Sequence, residues 1–208
     1  MRALPGAADW CRMWRALGAE HCDETLREGL IARYDAPQRH YHTTQHLAEL
    51  FALWPLVAGD AEHPAEVELA IWYHDAVYDA ARADNEARSA ALATGAMRDA
   101  GVPGDARERV ERLILATRHE AVPSGVDAQI LVDLDLAILG ASAERFDEYE
   151  AQVRAEYAFV PDAIFRRGRA AVLTTFAERG RIYMTPVLHE RLERAARANL
   201  RRSPYAPS

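Results

Sequence analysis

The stretch Pro64-Ala65-Glu66-Val67-Glu68-Leu69-Ala70-Ile71-Trp72-Tyr73-His74-Asp75-Ala76-Val77-Tyr78 decides the fold. Proline at a first helical position, followed by residues apolar nearly all round, predicts a central, buried helix over 64–78. Near its end that helix carries a histidine beside an aspartate. Burying both costs several kcal/mol unless they are paired or bound to a cation. A hydrogen-bonded His–Asp pair in the core would satisfy them. So would a metal ion lying against the flank between them, because adjacent helix residues point about 100° apart. Such an ion needs ligands from other helices, and His46 and the Asp133/Asp135 pair are available.

Helix signals continue on both sides of this stretch. Upstream, 7–17 stops at Gly18, 23–34 stops before Pro37, and a helix from Thr43–Thr44 carries Leu47, Leu50, Phe51 and Trp54 on one stripe. Downstream, Asp84 opens a helix that ends near Gly101, and Asp105 opens another with Val110, Leu113, Ile114 and Thr117 on one face. Ser142, Asp162 and Thr185 look like three further starts, the second closed by Gly180 and the third ending with Arg201 and Arg202 in its last turn. Val132-Asp133-Leu134-Asp135-Leu136 alternates, and its period fits a strand or a helix. The expected class is all-α.

The 208 residues suit one domain, 1–208, with a core over about 33–140 and C-terminal helices over about 143–202. Hydrophobic residues make up 50% and charged residues 27%, so a sizeable core and an ordinary polar surface are both affordable. With 25 basic residues against 32 acidic, the net charge of −7 gives no electrostatic reason to expect a nucleic acid polymer or an anionic membrane as partner. Every basic residue counted is arginine. Cys11 and Cys22 form no Cys-x-x-Cys and no zinc-finger spacing. The opening residues show no signal-peptide core and no apolar run reaches membrane length, so a reducing cytoplasm is the expected location. The composition leaves the oligomeric state open.

The strongest chemical feature is Arg39-His40-Tyr41-His42-Thr43-Thr44-Gln45-His46, followed by His74-Asp75. Imidazole plus carboxylate suits Mn, Fe, Co, Ni or Zn, with Mg admissible, and the absence of a thiolate set argues against a purely structural zinc. A lone His, then His-Asp, then a distant Asp on separate helices resembles the HD superfamily of metal-dependent phosphohydrolases, over about 33–200. Trp72-Tyr73-His74-Asp75-Ala76-Val77-Tyr78-Asp79, Asp84-Asn85-Glu86 and Ala198-Asn199-Leu200 carry the likeness to a bacterial branch of about this size. The resemblance implies a compact multi-helix bundle with a central site for one ion, held by His46, His74, Asp75 and Asp135. It places the segment around Asp135 on a helix and favours Asp135 over Asp133. Tyr41 to His46 also resembles the Tyr-His-Asn-x-x-His of cyclic nucleotide phosphodiesterases, which makes His42, four residues before His46, a candidate proton donor, although Thr43 stands where those enzymes have Asn.

Asp79, one turn after Asp75 on a continuous helix, is expected to orient water or to end the helix. Asp84 and Glu86 read as solvated helix-start residues, and His119 as a helix-end cation or an extra ligand. Arg166, Arg167 and Arg169 read as surface or phosphate-binding. His63 and His189 receive no role. No phosphate loop, dinucleotide fingerprint, nucleophile elbow or His-Glu-x-x-His is present. The expected function is hydrolysis of a phosphoester on a nucleotide or related small metabolite. The alternatives are an HD-fold iron oxygenase, which needs two more histidines, and a catalytically silent metal or nucleotide sensor. A parallel-sheet phosphotransferase using Asp133 and Asp135 would need more strands than one doubtful candidate.

Overall fold

The computed structural model describes residues 4–206. Ten α-helices and no strand occur among the described residues, so the protein is all-α. That removes the parallel-sheet alternative. The chain divides into two compact units, Met1–Val132 and Asp133–Ser208.

The first unit holds α1 (Ala7–Ala16), α2 (Glu24–Tyr34), α3 (Thr44–Leu53), α4 (Pro64–Tyr73), α5 (Asn85–Asp99), α6 (Gly104–Ala116) and most of α7 (Val126–Asp135). Two of the starts are capped by the residues the sequence offers. Asp23 accepts from the Thr25 amide and Thr43 from the Gln45 amide. Gly18 and Gly101 take positive φ after α1 and α5, a backbone region that costs glycine nothing.

α4 is the centre of this unit, with every residue from Glu66 to Tyr73 buried. Trp72 packs edge-on to Trp10 of α1 at 5.4 Å and against Phe51 of α3 at 5.1 Å. Two acids inside this apolar helix are each met by an arginine: Glu66 by Arg109 at 2.7 Å and Glu68 by Arg12 at 2.9 Å. Burial pushes the Glu68 carboxyl up, and Arg12 pulls against it.

α4 stops at Tyr73, five residues short of the predicted end. The reason lies in side chains that take over the backbone beyond it. Ser89 bonds both the N–H and the C=O of Val77, and Asn85 does the same for Asp79. Arg39 donates to the carbonyls of Asp75 and Ala76. Those bonds give the backbone of Asp75, Ala76, Val77 and Asp79 partners outside a continued helix.

The second unit begins with the last turn of α7 and a 3-10 turn over Leu136–Gly140, then α8 (Ala143–Glu156), α9 (Asp162–Ala177) and α10 (Pro186–Arg202). The ambiguous 132–136 segment is therefore helical. α10 runs against the 3-10 turn, where a Cβ on Gly140 would lie 2.6 Å from Leu192 Cβ and 2.8 Å from its carbonyl oxygen, so only glycine fits. Asn199 donates to the carbonyls of Leu139 and Ala141, and the Tyr183 hydroxyl donates to that of Leu136. Inside the unit Arg169 pairs with Glu150 at 2.7 Å, both buried.

Candidate metal centre

Three side chains of the first unit converge. His46 projects from the first turn of α3, whose start the Thr43 cap fixes. His74 is the residue on which α4 ends, and Asp75 follows it. Both imidazoles are 1% exposed. His46 Nε2 lies 3.1 Å from His74 Nε2, and Asp75 Oδ2 lies 3.1 Å from His74 Nε2 and 3.7 Å from His46 Nε2.

The His74 ring is oriented from behind. Its Nδ1 lies 3.0 Å from the Ile71 carbonyl, which can only accept, so Nδ1 carries the hydrogen. In the neutral ring Nε2 then presents a lone pair toward His46 and Asp75. A second-ring bond of this kind is how metal-binding histidines are commonly held.

Two imidazole nitrogens and a carboxylate oxygen drawn together in a buried place need a shared proton or a cation between them. The distances fit a cation. A circle through three atoms at these separations has a radius of about 1.9 Å, so a point about 2.1 Å from each lies just off their plane, the length of a metal–imidazole or metal–carboxylate bond. This buried His/Asp group could hold a metal ion.

Of the two aspartates weighed as fourth ligand, Asp133 has its carboxylate already taken. Fully buried, it accepts from the amides of Met184 and Thr185 at 2.9 and 2.6 Å and from the Thr185 hydroxyl at 2.7 Å, anchoring the start of α10. Burial pushes its pKa up, and those three donors offset this only in part. Asp135 closes α7 in the same unit, half-buried.

His42 lies outside α3, in the turn before the Thr43 cap, where the backbone is extended (φ −115°, ψ −179°). The continuous helix expected to align it with His46 is absent. The two rings are nonetheless near, with centroids 6.1 Å apart, and the His42 ring stacks on Tyr78 at 3.9 Å. Asp79 is not one helical turn beyond Asp75, because α4 has already ended. It is exposed, and its carboxylate accepts from the Ala81 amide in a local turn. Asp84 pairs with Arg82 at 2.7 Å, and Glu86 lies 3.9 Å from Arg118. His119 takes a left-handed φ of 58° in the loop after α6. Among the three arginines weighed for phosphate, Arg166 pairs with Asp162 at 2.6 Å and Arg169 with Glu150. Arg167 is exposed.

Sequence reasoning gave no role to His63, which belongs to a second acidic and imidazole group with Glu62 and Asp127. Asp127 accepts from the amides of Glu62 and His63 and lies 3.0 Å from His63 Nδ1. It sits where the N-termini of α4 and α7 meet, a place whose dipoles favour an anion over a cation. The carboxylate is that anion, and the group is a staple. A cavity of about 500 Å³ beside it is lined by His63, Arg112, Leu113, Val122, Val126 and neighbours, and none of His46, His74 or Asp75 reaches it.

No family model matches the chain, and no curated protein or solved structure matches it either.

Proposed function

We propose that the protein is a metal-dependent phosphohydrolase acting on a phosphoester of a nucleotide or related small metabolite. The convergence of His46 Nε2, His74 Nε2 and Asp75 Oδ2 at metal-ligand spacing carries this reading. The sequence resemblance to the HD superfamily supports the choice of reaction. The proposed ligand set is His46, His74, Asp75 and Asp135, for one divalent transition ion. Asp135 is preferred because Asp133 is engaged at α10.

When bound, such an ion supplies Lewis acidity, lowering the pKa of a coordinated water toward about 7 and polarising a phosphoryl oxygen. The remaining work falls to side chains. His46 and His74 are buried at this site, and the Ile71 carbonyl fixes the His74 ring with its Nε2 lone pair toward His46 and Asp75. His42, oriented by its stack on Tyr78, holds a proton for the departing alkoxide. Asp79 has no part in this proposal, because its carboxylate is turned to Ala81.

Metal analysis of freshly purified protein, then a screen of nucleotides and phosphate esters with Mn, Co, Mg and Fe, tests the reading. One ion per chain and release of phosphate or a phosphorylated product are expected. About two irons per chain with an oxygen-dependent product would replace it with an oxygenase. Tight nucleotide binding without turnover would replace it with a sensor. In the active protein, His42→Ala should keep the ion and slow turnover by roughly 10²–10⁴-fold on substrates with poor leaving groups. It should hardly slow a nitrophenyl ester, whose leaving group needs no proton. Equal losses on both would remove His42 from proton transfer.

A further inference from the structure

Arg39 is 7% exposed, unusual for a side chain that cannot shed its charge. Its guanidinium spans two segments of chain. Nη1 donates to the His42 carbonyl at 3.0 Å and to the Asp75 carbonyl at 2.7 Å, while Nη2 donates to the Ala76 carbonyl at 3.1 Å. The same group lies 5.0 Å from the ring centre of Tyr34 and 5.6 Å from that of Tyr78, and Tyr78 stacks on His42. Tyr34 completes the arrangement: its hydroxyl accepts from the Asp75 amide at 3.3 Å and lies 3.2 Å from the Trp72 carbonyl. Both backbone polar groups of Asp75 are thus held from outside α4. One of them is held by the arginine that also holds His42.

We infer that Arg39 is a positioning residue of the metal centre, setting the distance and orientation of Asp75 relative to His42. The inference rests on the proposed function for its metal, but not for its geometry. The chemistry requires arginine. A planar fork with fixed donor directions can meet three carbonyls from two segments at once, whereas an ammonium is a point charge on a flexible stem. Its positive charge also suits the C-terminal end of α4, where carbonyls gather without intrahelical donors.

The test compares wild type, Arg39→Lys and Tyr34→Phe by thermal melting, Co²⁺ titration and histidine-ring NMR of the metal-free protein. Arg39→Lys should keep its helical signal and fold, yet bind Co²⁺ about 10–100-fold more weakly, the usual cost of losing a group that orients ligands. The visible spectrum of bound Co²⁺ should change with the altered ligand geometry. Tyr34→Phe, which removes one hold on Asp75, should move affinity in the same direction by less. The metal-free Arg39→Lys protein should show a shifted His42 ring signal. A folded Arg39→Lys protein with wild-type Co²⁺ affinity and spectrum would overturn the inference. So would a lowered melting temperature with unchanged Co²⁺ binding per folded molecule, which would make Arg39 a merely structural residue. If wild type binds no Co²⁺, the metal reading fails by itself. The positioning role is then decided by whether the His42 signal moves.

Discussion

His74 cannot be replaced cheaply, because its two nitrogens serve two different partners. Nδ1 is tied to the Ile71 carbonyl and Nε2 faces His46 and Asp75. His74→Ala or Asp75→Ala should therefore abolish stoichiometric metal binding, measured by metal analysis after gel filtration. Variants that keep a full equivalent would show the site to be elsewhere. The two neighbouring aspartates should separate cleanly. Asp135→Asn should lose metal with a modest effect on stability. Asp133→Asn should keep metal but destabilise by about 2–4 kcal/mol, because a neutral amide serves the donors of Met184 and Thr185 poorly. Metal loss in Asp133→Asn at unchanged stability would reverse that assignment. His74 and Asp75 were legible in the sequence because burying such a pair demands a partner, whereas His46 came from the resemblance to the HD superfamily. Arg39 was not, since its role depends on carbonyls 36 and 37 residues away.

At the level of elements, the ends carried most of the surprises. α4 is shorter than its apolar pattern because Ser89 and Asn85 of α5 bond the chain beyond it. Hydrophobic periodicity does not register competitors of that kind. α10 is set by a similar device. Burial pushes the Glu193 carboxyl up, but Arg197 and the amides of Tyr183 and Ile182 outweigh it, holding the group below its ordinary value of 4.5. A carboxyl lowered on folding contributes stability above its unfolded pKa and loses it as pH falls through the folded value. The stability gap between wild type and Glu193→Gln should be constant down to about pH 5 and shrink below about pH 4.5. A gap that widens on acidification would contradict the sign.

Across the whole molecule, two predictions concern what holds the folded state. Cys11 and Cys22 form a disulfide with Cα atoms 5.3 Å apart, closing a loop around the Gly18 turn. Cys11→Ser, or reduction by a dithiol, should lower stability by about 3 kcal/mol, the loop-closure expectation for a separation of 11 residues. An unchanged denaturation midpoint would show that α1 needs no such closure. The bond runs against the expected reducing cytoplasm, where thiols are kept reduced. No helix among the described residues is long and apolar enough to cross a membrane. If the ion binds only the folded chain, it should stabilise it by roughly 2.7 kcal/mol at 100-fold excess over Kd. Chelation should then lower Tm while leaving the room-temperature helical signal intact, and an unchanged melt after verified removal would count against a tightly bound ion.

By itself the sequence determined the all-α class, most helix starts and the need of the buried His74-Asp75 pair for a partner. These follow from local capping chemistry and from the cost of burying polar side chains, both properties of residue type and spacing. The pairing of Cys11 with Cys22, the stop at Tyr73, the engagement of Asp133 by α10 and the reach of Arg39 came only from the tertiary structure. Each depends on which donors and acceptors distant parts of the chain bring within about 3 Å, or on which thiols they bring together. No period or motif encodes that distance.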